Sequence, residues 1–173
     1  MASIPLLAFE DWQPISPDEL KMTSEPAAPG AAAIILYREL KSDDNEHFEY
    51  TYYRIKILTD EGKKYADVKV AYGNSYSHVT DIKGRTIHSD GTVIPFEGKA
   101  LDGTMFKTKR LKILAKTFTL PDVQVGSIIE YKYTIRTEPG WAFPARWSVQ
   151  EDMFQKRAKF SFAPFKHEVL VGG

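Results

Sequence analysis

Four histidines, His47, His78, His88 and His167, are the residues whose chemistry would show first, as metal ligands or general bases. No two of them fall at a spacing that turns both rings to one face of a helix or strand, so a zinc centre is not expected. His88 sits two residues from Asp90 at a tight turn, where a local hydrogen bond is the expected use of the ring. Asp43, Asp44 and Glu46 share a polar stretch that lacks the glycine and terminal glutamate of a calcium loop. It reads as a solvated turn. Asp81 and Asp90 are the acid pair best placed for carboxylate chemistry, yet any two acids of a β protein can meet across strands. No serine lies in a nucleophile elbow, and the glycines match neither phosphate-loop fingerprint. With no cysteine in 173 residues, thiolate nucleophiles, thiolate metal sites and disulfides are all absent. The expectation is therefore no catalytic residue, no metal and no cofactor.

The aromatic residues carry the more specific signal. Trp141, Phe143, Arg146 and Trp147 crowd three large rings and a guanidinium into seven residues. Trp and Arg are favoured as interface anchors. The plainer expectation is that these rings cap an open end of the fold. The functional one is a docking surface for a neighbouring domain or, with less behind it, a platform for a sugar. Lys107, Lys109, Arg110 and Lys112 form a basic cluster able to meet an acidic partner, although a charged loop is usually only solvated.

What must position these residues is a set of strands. In Ile128–Arg136, Ile129, Tyr131, Tyr133 and Ile135 alternate with Glu130, Lys132, Thr134 and Arg136, a period of two that predicts one apolar and one wet face. Ala32–Leu40 is apolar on both faces. Phe48–Leu58 changes phase at Tyr52-Tyr53, which predicts a β-bulge there or a strand that changes sheets. The alternative is a strand with two apolar faces and Tyr52 at a second interface. Ala66, Val68, Val70 and Tyr72 alternate cleanly. Lys83-Gly84-Arg85 reads as a turn, and Asp90-Gly91 as a type I′ hairpin turn. Arg146–Glu151 and Ala158–Phe162 read as the last strands, and Lys166–Val171 as one more strand. Ser16, Pro17 and Glu19 spell a capping box, hence one short helix that is too short to persist alone and must dock through Leu20 and Trp12.

About ten short strands with regular turn signals predict an all-β, antiparallel two-layer sandwich, with a closed barrel as the competing architecture. The chain divides into a lead-in with the helix at 1–30, the sandwich at 31–163, and a trailing strand or linker at 164–173. Lys plus Arg and Asp plus Glu both number 23, so no global field favours nucleic acid. No apolar run is long enough to span a bilayer as a helix. Met1–Glu10 lacks the basic and apolar regions of a signal peptide.

Several stretches together resemble a bacterial domain of unknown function that precedes transglutaminase-like domains in exported proteins. They are Tyr53-Arg54-Ile55-Lys56-Ile57-Leu58, Asp81-Ile82-Lys83-Gly84-Arg85-Thr86-Ile87-His88, Lys116-Thr117-Phe118-Thr119-Leu120-Pro121 and Val125-Gly126-Ser127-Ile128-Ile129-Glu130-Tyr131. The resemblance implies an accessory β-sandwich in a longer periplasmic or secreted protein. Its partner would be a downstream transglutaminase-like domain that carries the catalytic Cys, His and Asp. A polysaccharide or peptide ligand is the alternative partner. No catalytic residue carries over, because the matching motifs are strand and turn chemistry.

Overall fold

The computed structural model describes residues 12–73, 76–107, 112–139, 147–149 and 151–166. Ser16 caps the helix α1 (Pro17–Lys21): its hydroxyl accepts from the Glu19 N–H at 3.1 Å, and the Glu19 carboxylate accepts from the Ser16 N–H at 2.8 Å. The strands follow as β1 (Ala33–Asp43), β2 (Phe48–Ile57), β3 (Asp67–Gly73), β4 (Ser77–Ile87), β5 (Val93–Pro95), β6 (Leu101–Lys107), β7 (Lys112–Thr119), β8 (Ile128–Thr137) and β9 (Ala158–Ala163). A 3₁₀ helix, Asp60–Ala66, connects β2 to β3.

The strands form two sheets, ordered β5-β4-β8-β2-β1-β9 and β3-β7-β6. This is the expected sandwich. Ile35, Ile55, Ile57 and Ile129 of the larger sheet pack against Val68, Val70 and Phe118 of the smaller one, and Tyr53, Tyr131 and Tyr133 close the same core. All pairings are antiparallel except that β9 lies parallel to β1.

Local expectations are corrected in physically specific ways. The bulge is not on β2, whose register with β8 runs unbroken from Phe48 to Lys56. It lies across the ladder on β1, between Ile35 and Tyr37. Leu36 belongs to a cluster on the outer face, and Tyr37 turns outward too, its ring 5.7 Å from that of Tyr52. Two successive outward side chains require one extra residue. The two-faced alternative for β2 is what the fold adopts: Tyr53 enters the core and Tyr52 is buried on the opposite side.

Lys83-Gly84-Arg85 is not a turn but the middle of β4, which bulges earlier, between Thr80 and Lys83, with Asp81 at φ 55°. Gly84 is needed because a Cβ there would lie 2.4 Å from Leu120 Cδ2. At the β4–β5 hairpin only Gly91 has positive φ, at 90°, while the His88 N–H bonds the Thr92 carbonyl and the Gly91 N–H bonds the His88 carbonyl. That is a three-residue loop closed by a left-handed glycine, not a type I′ turn. Residues 147–149 and 151 carry no strand, and 167–171 lie outside the described residues.

The outer face of the large sheet departs furthest from expectation. Glu130, Lys132 and Thr134 are buried, although alternation in β8 predicts a wet face. Trp12 lies over Lys132, and Arg54 links Glu130 to the lead-in. Ile15, Leu20 and Met22 pack on Ile34, Leu36, Ile87 and Ile128, so α1 and its flanks make a third layer.

Candidate functional site

Two places gather groups with chemistry. The first lies beneath the lead-in, where β2, β4 and β8 each contribute outward residues in adjoining cross-strand positions. Arg54 and Arg85 both face Glu130 in the register. The Glu130 carboxylate accepts from Arg54 Nε at 2.7 Å and from Arg85 Nε at 2.6 Å, and the Tyr52 hydroxyl donates to it as well. Arg54 continues outward to Glu19 at 3.1 Å. Charges thus alternate along a line, Arg85, Glu130, Arg54, Glu19, and the line is neutral. Two further Arg54 donors reach the Gln13 and Pro14 carbonyls, at 2.7 and 3.1 Å. The ring of Trp12 stacks over Arg85 at 4.7 Å and Lys132 at 4.6 Å.

In the next row Lys56 is fully buried, with Nζ donating to the Leu20 carbonyl at 2.8 Å and the Gly126 carbonyl at 2.6 Å. Burial pulls its ammonium down to about 8, against a smaller opposing pull from Glu19. Burial first, and the Glu130 charge second, raise the Tyr52 hydroxyl. Shifted groups often mark active sites, but ion-pair networks shift them too. Here every donor of Arg54 is taken by protein oxygen. The network is an internal clamp, and Arg54 and Glu19 also help to line an open pocket of about 590 Å³.

The second place surrounds Trp147 at the β9 edge. Its ring stacks on Phe160 with centroids 5.8 Å apart and meets Phe162 edge-on at 6.0 Å. The indole N–H donates to Glu49 at 3.3 Å. Beside it Arg38 bonds Glu151 at 2.8 Å and the Ser148 carbonyl at 2.7 Å. Desolvation raises the Glu49 carboxyl above its usual range, with Trp147 and Arg38 opposing. Phe162 and, two residues beyond Trp147, Val149 remain exposed here, while Phe165 is exposed against the ring of His47. Trp147 is half-buried, with one face against Phe160. Trp141, Phe143 and Arg146 lie outside the described residues, as do Thr108–Leu111 of the basic cluster and the ring of His167.

The remaining candidates are dispersed. Asp81 accepts from the Thr80 hydroxyl and Asp90 from the Thr92 N–H, so the two acids form no pair. His88 Nε2 reaches the Asp122 carbonyl at 3.0 Å and its carboxylate at 3.4 Å, not Asp90. Asp43 closes its own turn by accepting from the Asn45 and Glu46 N–H groups. Among the described residues no group of three His, Cys, Asp or Glu could hold a metal. An open groove of about 540 Å³ between the sheets includes Tyr72, His78, Asp102 and Lys116. Asp102 there is already engaged by Lys116 at 2.7 Å and Tyr72 at 2.9 Å.

A two-layer β-sandwich is the class these observations define. The chain belongs to the family described as a domain of unknown function with solved structure, DUF3857, which matches residues 43–171. Among solved structures, a "putative protease" from Parabacteroides distasonis ATCC 8503 is similar, with 16% identity and a TM-score of 0.66 over 76% of this chain and 28% of that one. This chain therefore spans just over a quarter of that protein's length. Yeast LTA4 hydrolase in complex with bestatin aligns over 71% of this chain and 19% of its own, with 11% identity and a TM-score of 0.29. No curated protein matches.

Proposed function

We propose that this domain is a non-catalytic accessory module of a longer, exported protein, and that it packs against a transglutaminase-like catalytic domain of the same chain. The observation that carries this reading is the apolar edge at β9: Phe162 is 42% exposed and meets Trp147 edge-on, and Val149, two residues beyond Trp147, is 63% exposed. Exposed apolar patches of this kind mark interaction surfaces, and interfaces between domains typically bury roughly 600–1,500 Å². The short span relative to the Parabacteroides protein supports a modular role. The periplasmic or secreted setting rests on the family resemblance.

Reading the coding sequence past Gly173 tests this most directly. A cysteine, a histidine and an aspartate in papain-like order support it, and their absence sinks it. With that domain in hand, Trp147→Ala and Phe162→Ser are expected to weaken its association with this one by at least about tenfold in titration calorimetry. Phe162→Ser is expected to lower the thermal midpoint by less than Trp147→Ala does, because Phe162 is 42% exposed. Lowered stability with unchanged association would refute the docking surface. A carbohydrate or peptide platform has less behind it, since one face of Trp147 is covered by Phe160 and its N–H is used by Glu49.

A further inference from the structure

The lead-in is attached to the sheet in an unusual way. Among the described residues, no backbone–backbone hydrogen bond joins residues 12–22 to any strand. Side-chain cations hold it instead, with Arg54 on the Gln13 and Pro14 carbonyls and on Glu19, and Lys56 on the Leu20 carbonyl. Trp12 lies over Arg85 and Lys132. α1 has only five residues and cannot persist once undocked. Beyond it, Pro26, Pro29 and Gly30 (φ 76°) lie in the turns that lead towards β1, and Glu25 beside them pairs with Lys156 at 2.6 Å.

Undocking would wet Arg54, Glu130, Arg85 and Lys56, ions whose desolvation opposes the closed state. The part of the fold with the weakest backbone attachment therefore covers the groups with the strongest demand for water. Segments with few backbone bonds to their surroundings open well below the free energy of global unfolding.

We propose that residues 12–22 are a latch that opens while the sandwich stays folded, and that protonation of Lys56 weakens it. Lys56 is the bolt, since its Nζ ties the end of α1 to the Gly126 carbonyl in the β7–β8 loop. The charged groups facing it are Glu19 on α1, Arg54 beside it on β2 and Glu130 on β8. Ile34, Ile87 and Ile128 flank it from β1, β4 and β8 and carry no charge. Closed, Lys56 titrates near 8; opened to water, it returns to its ordinary 10.5.

The sign follows. Below pH 8 the lysine is charged in both states, and closing bears the full penalty of burying the ammonium. Between 8 and 10.5 the closed form has released its proton and the open form has not, so each unit of pH favours closing by up to about tenfold. Above 10.5 the lysine adds no further pH dependence. The latch is loosest at neutral and acid pH.

The absence of cysteine makes the test direct. Single variants Leu36→Cys, under the latch, and Val70→Cys, in the inner core, are made in the full chain. Their labelling by a thiol reagent is followed under native conditions and corrected for thiolate fraction. Leu36→Cys is expected to react at least about 100-fold faster than Val70→Cys. Its rate is expected to fall between pH 8 and 10.5, and Lys56→Met is expected to flatten that profile. Equal rates at the two sites would show that the latch opens only with the whole fold. A flat profile in the parent, or a slope surviving Lys56→Met, would remove the lysine from the mechanism. Should Leu36→Cys not fold, hydrogen exchange in the unaltered chain decides. Residues 12–22 must then exchange well before Ile128–Thr137, and simultaneous exchange overturns the proposal.

Discussion

Replacing Glu130 with alanine is expected to destabilise the protein by about 3–5 kcal/mol, the range for removing one partner from a buried charge network. Denaturant titration would show this as a lower midpoint, and heating as a midpoint lower by roughly 6–20 °C at this chain length. The carboxylate is fully buried and accepts from three side chains, two of them cationic. Its loss strands Arg54, which is 1% exposed, beside Arg85 at 18%, with only Glu19 left to balance them. The exposed Lys63–Asp60 pair is a useful contrast, because its 2.6 Å distance is no longer than those of the network. Asp60→Ala is expected to change stability by less than about 1 kcal/mol, since an exposed pair gains little over hydration. Substituting Arg54, Glu130 and Arg85 together with apolar residues of similar volume should recover most of the loss. If Glu130→Ala alone costs under about 1 kcal/mol, water enters the site and the clamp is not dry.

The second large effect comes from a residue with no side chain. A Cβ at Gly62 would lie 2.2 Å from the Ala32 carbonyl oxygen and 3.3 Å from Ile57 Cγ2. That oxygen is held by the Leu58 and Thr59 N–H groups at 2.9 and 3.1 Å, so it cannot retreat without breaking bonds that start β1. Gly62→Ala is therefore expected to cost about 3 kcal/mol, at the upper end of overpacking effects. The m-value should be unchanged, because the unfolded chain is hardly altered. Gly103→Ala is the control: its nearest neighbour is the Ala115 oxygen at 4.0 Å, and it should be neutral within about 0.5 kcal/mol.

Features fixed by a few neighbouring residues could be read from the sequence, and features fixed by a distant layer could not. The Ser16–Glu19 box closes within four residues and forms as its spelling demands. The apolar face of β8 likewise points where its period says. The polar face of β8 has the same spelling whether it meets water or a docked segment. Its burial depends on Trp12, Ile15 and Leu20, more than a hundred residues away. A signal did exist: Arg54, Lys56 and Arg85 follow apolar strand positions as Glu130 does, and the lead-in carries apolar residues with no strand of their own. The bulge was expected on β2 from the two tyrosines, but Leu36 and Tyr37 on the neighbouring strand made the adjustment. Trp147 stands out in the sequence by residue type alone. Its partners Phe160 and Glu49 depend on a crossover that alternation does not encode.

The parallel pairing of β9 with β1 bears on the order of assembly. Arg38 meets Ala158 across about 120 residues of chain, the kind of distant closure that slows folding. β2, β8 and β4 are joined by antiparallel ladders in the body of the sheet, whereas β9 sits at its rim with one neighbour. It is the strand expected to arrive last and depart first. Until it arrives, Trp147 has no Phe160 to lie against, so the surface proposed to dock matures only at the end of folding.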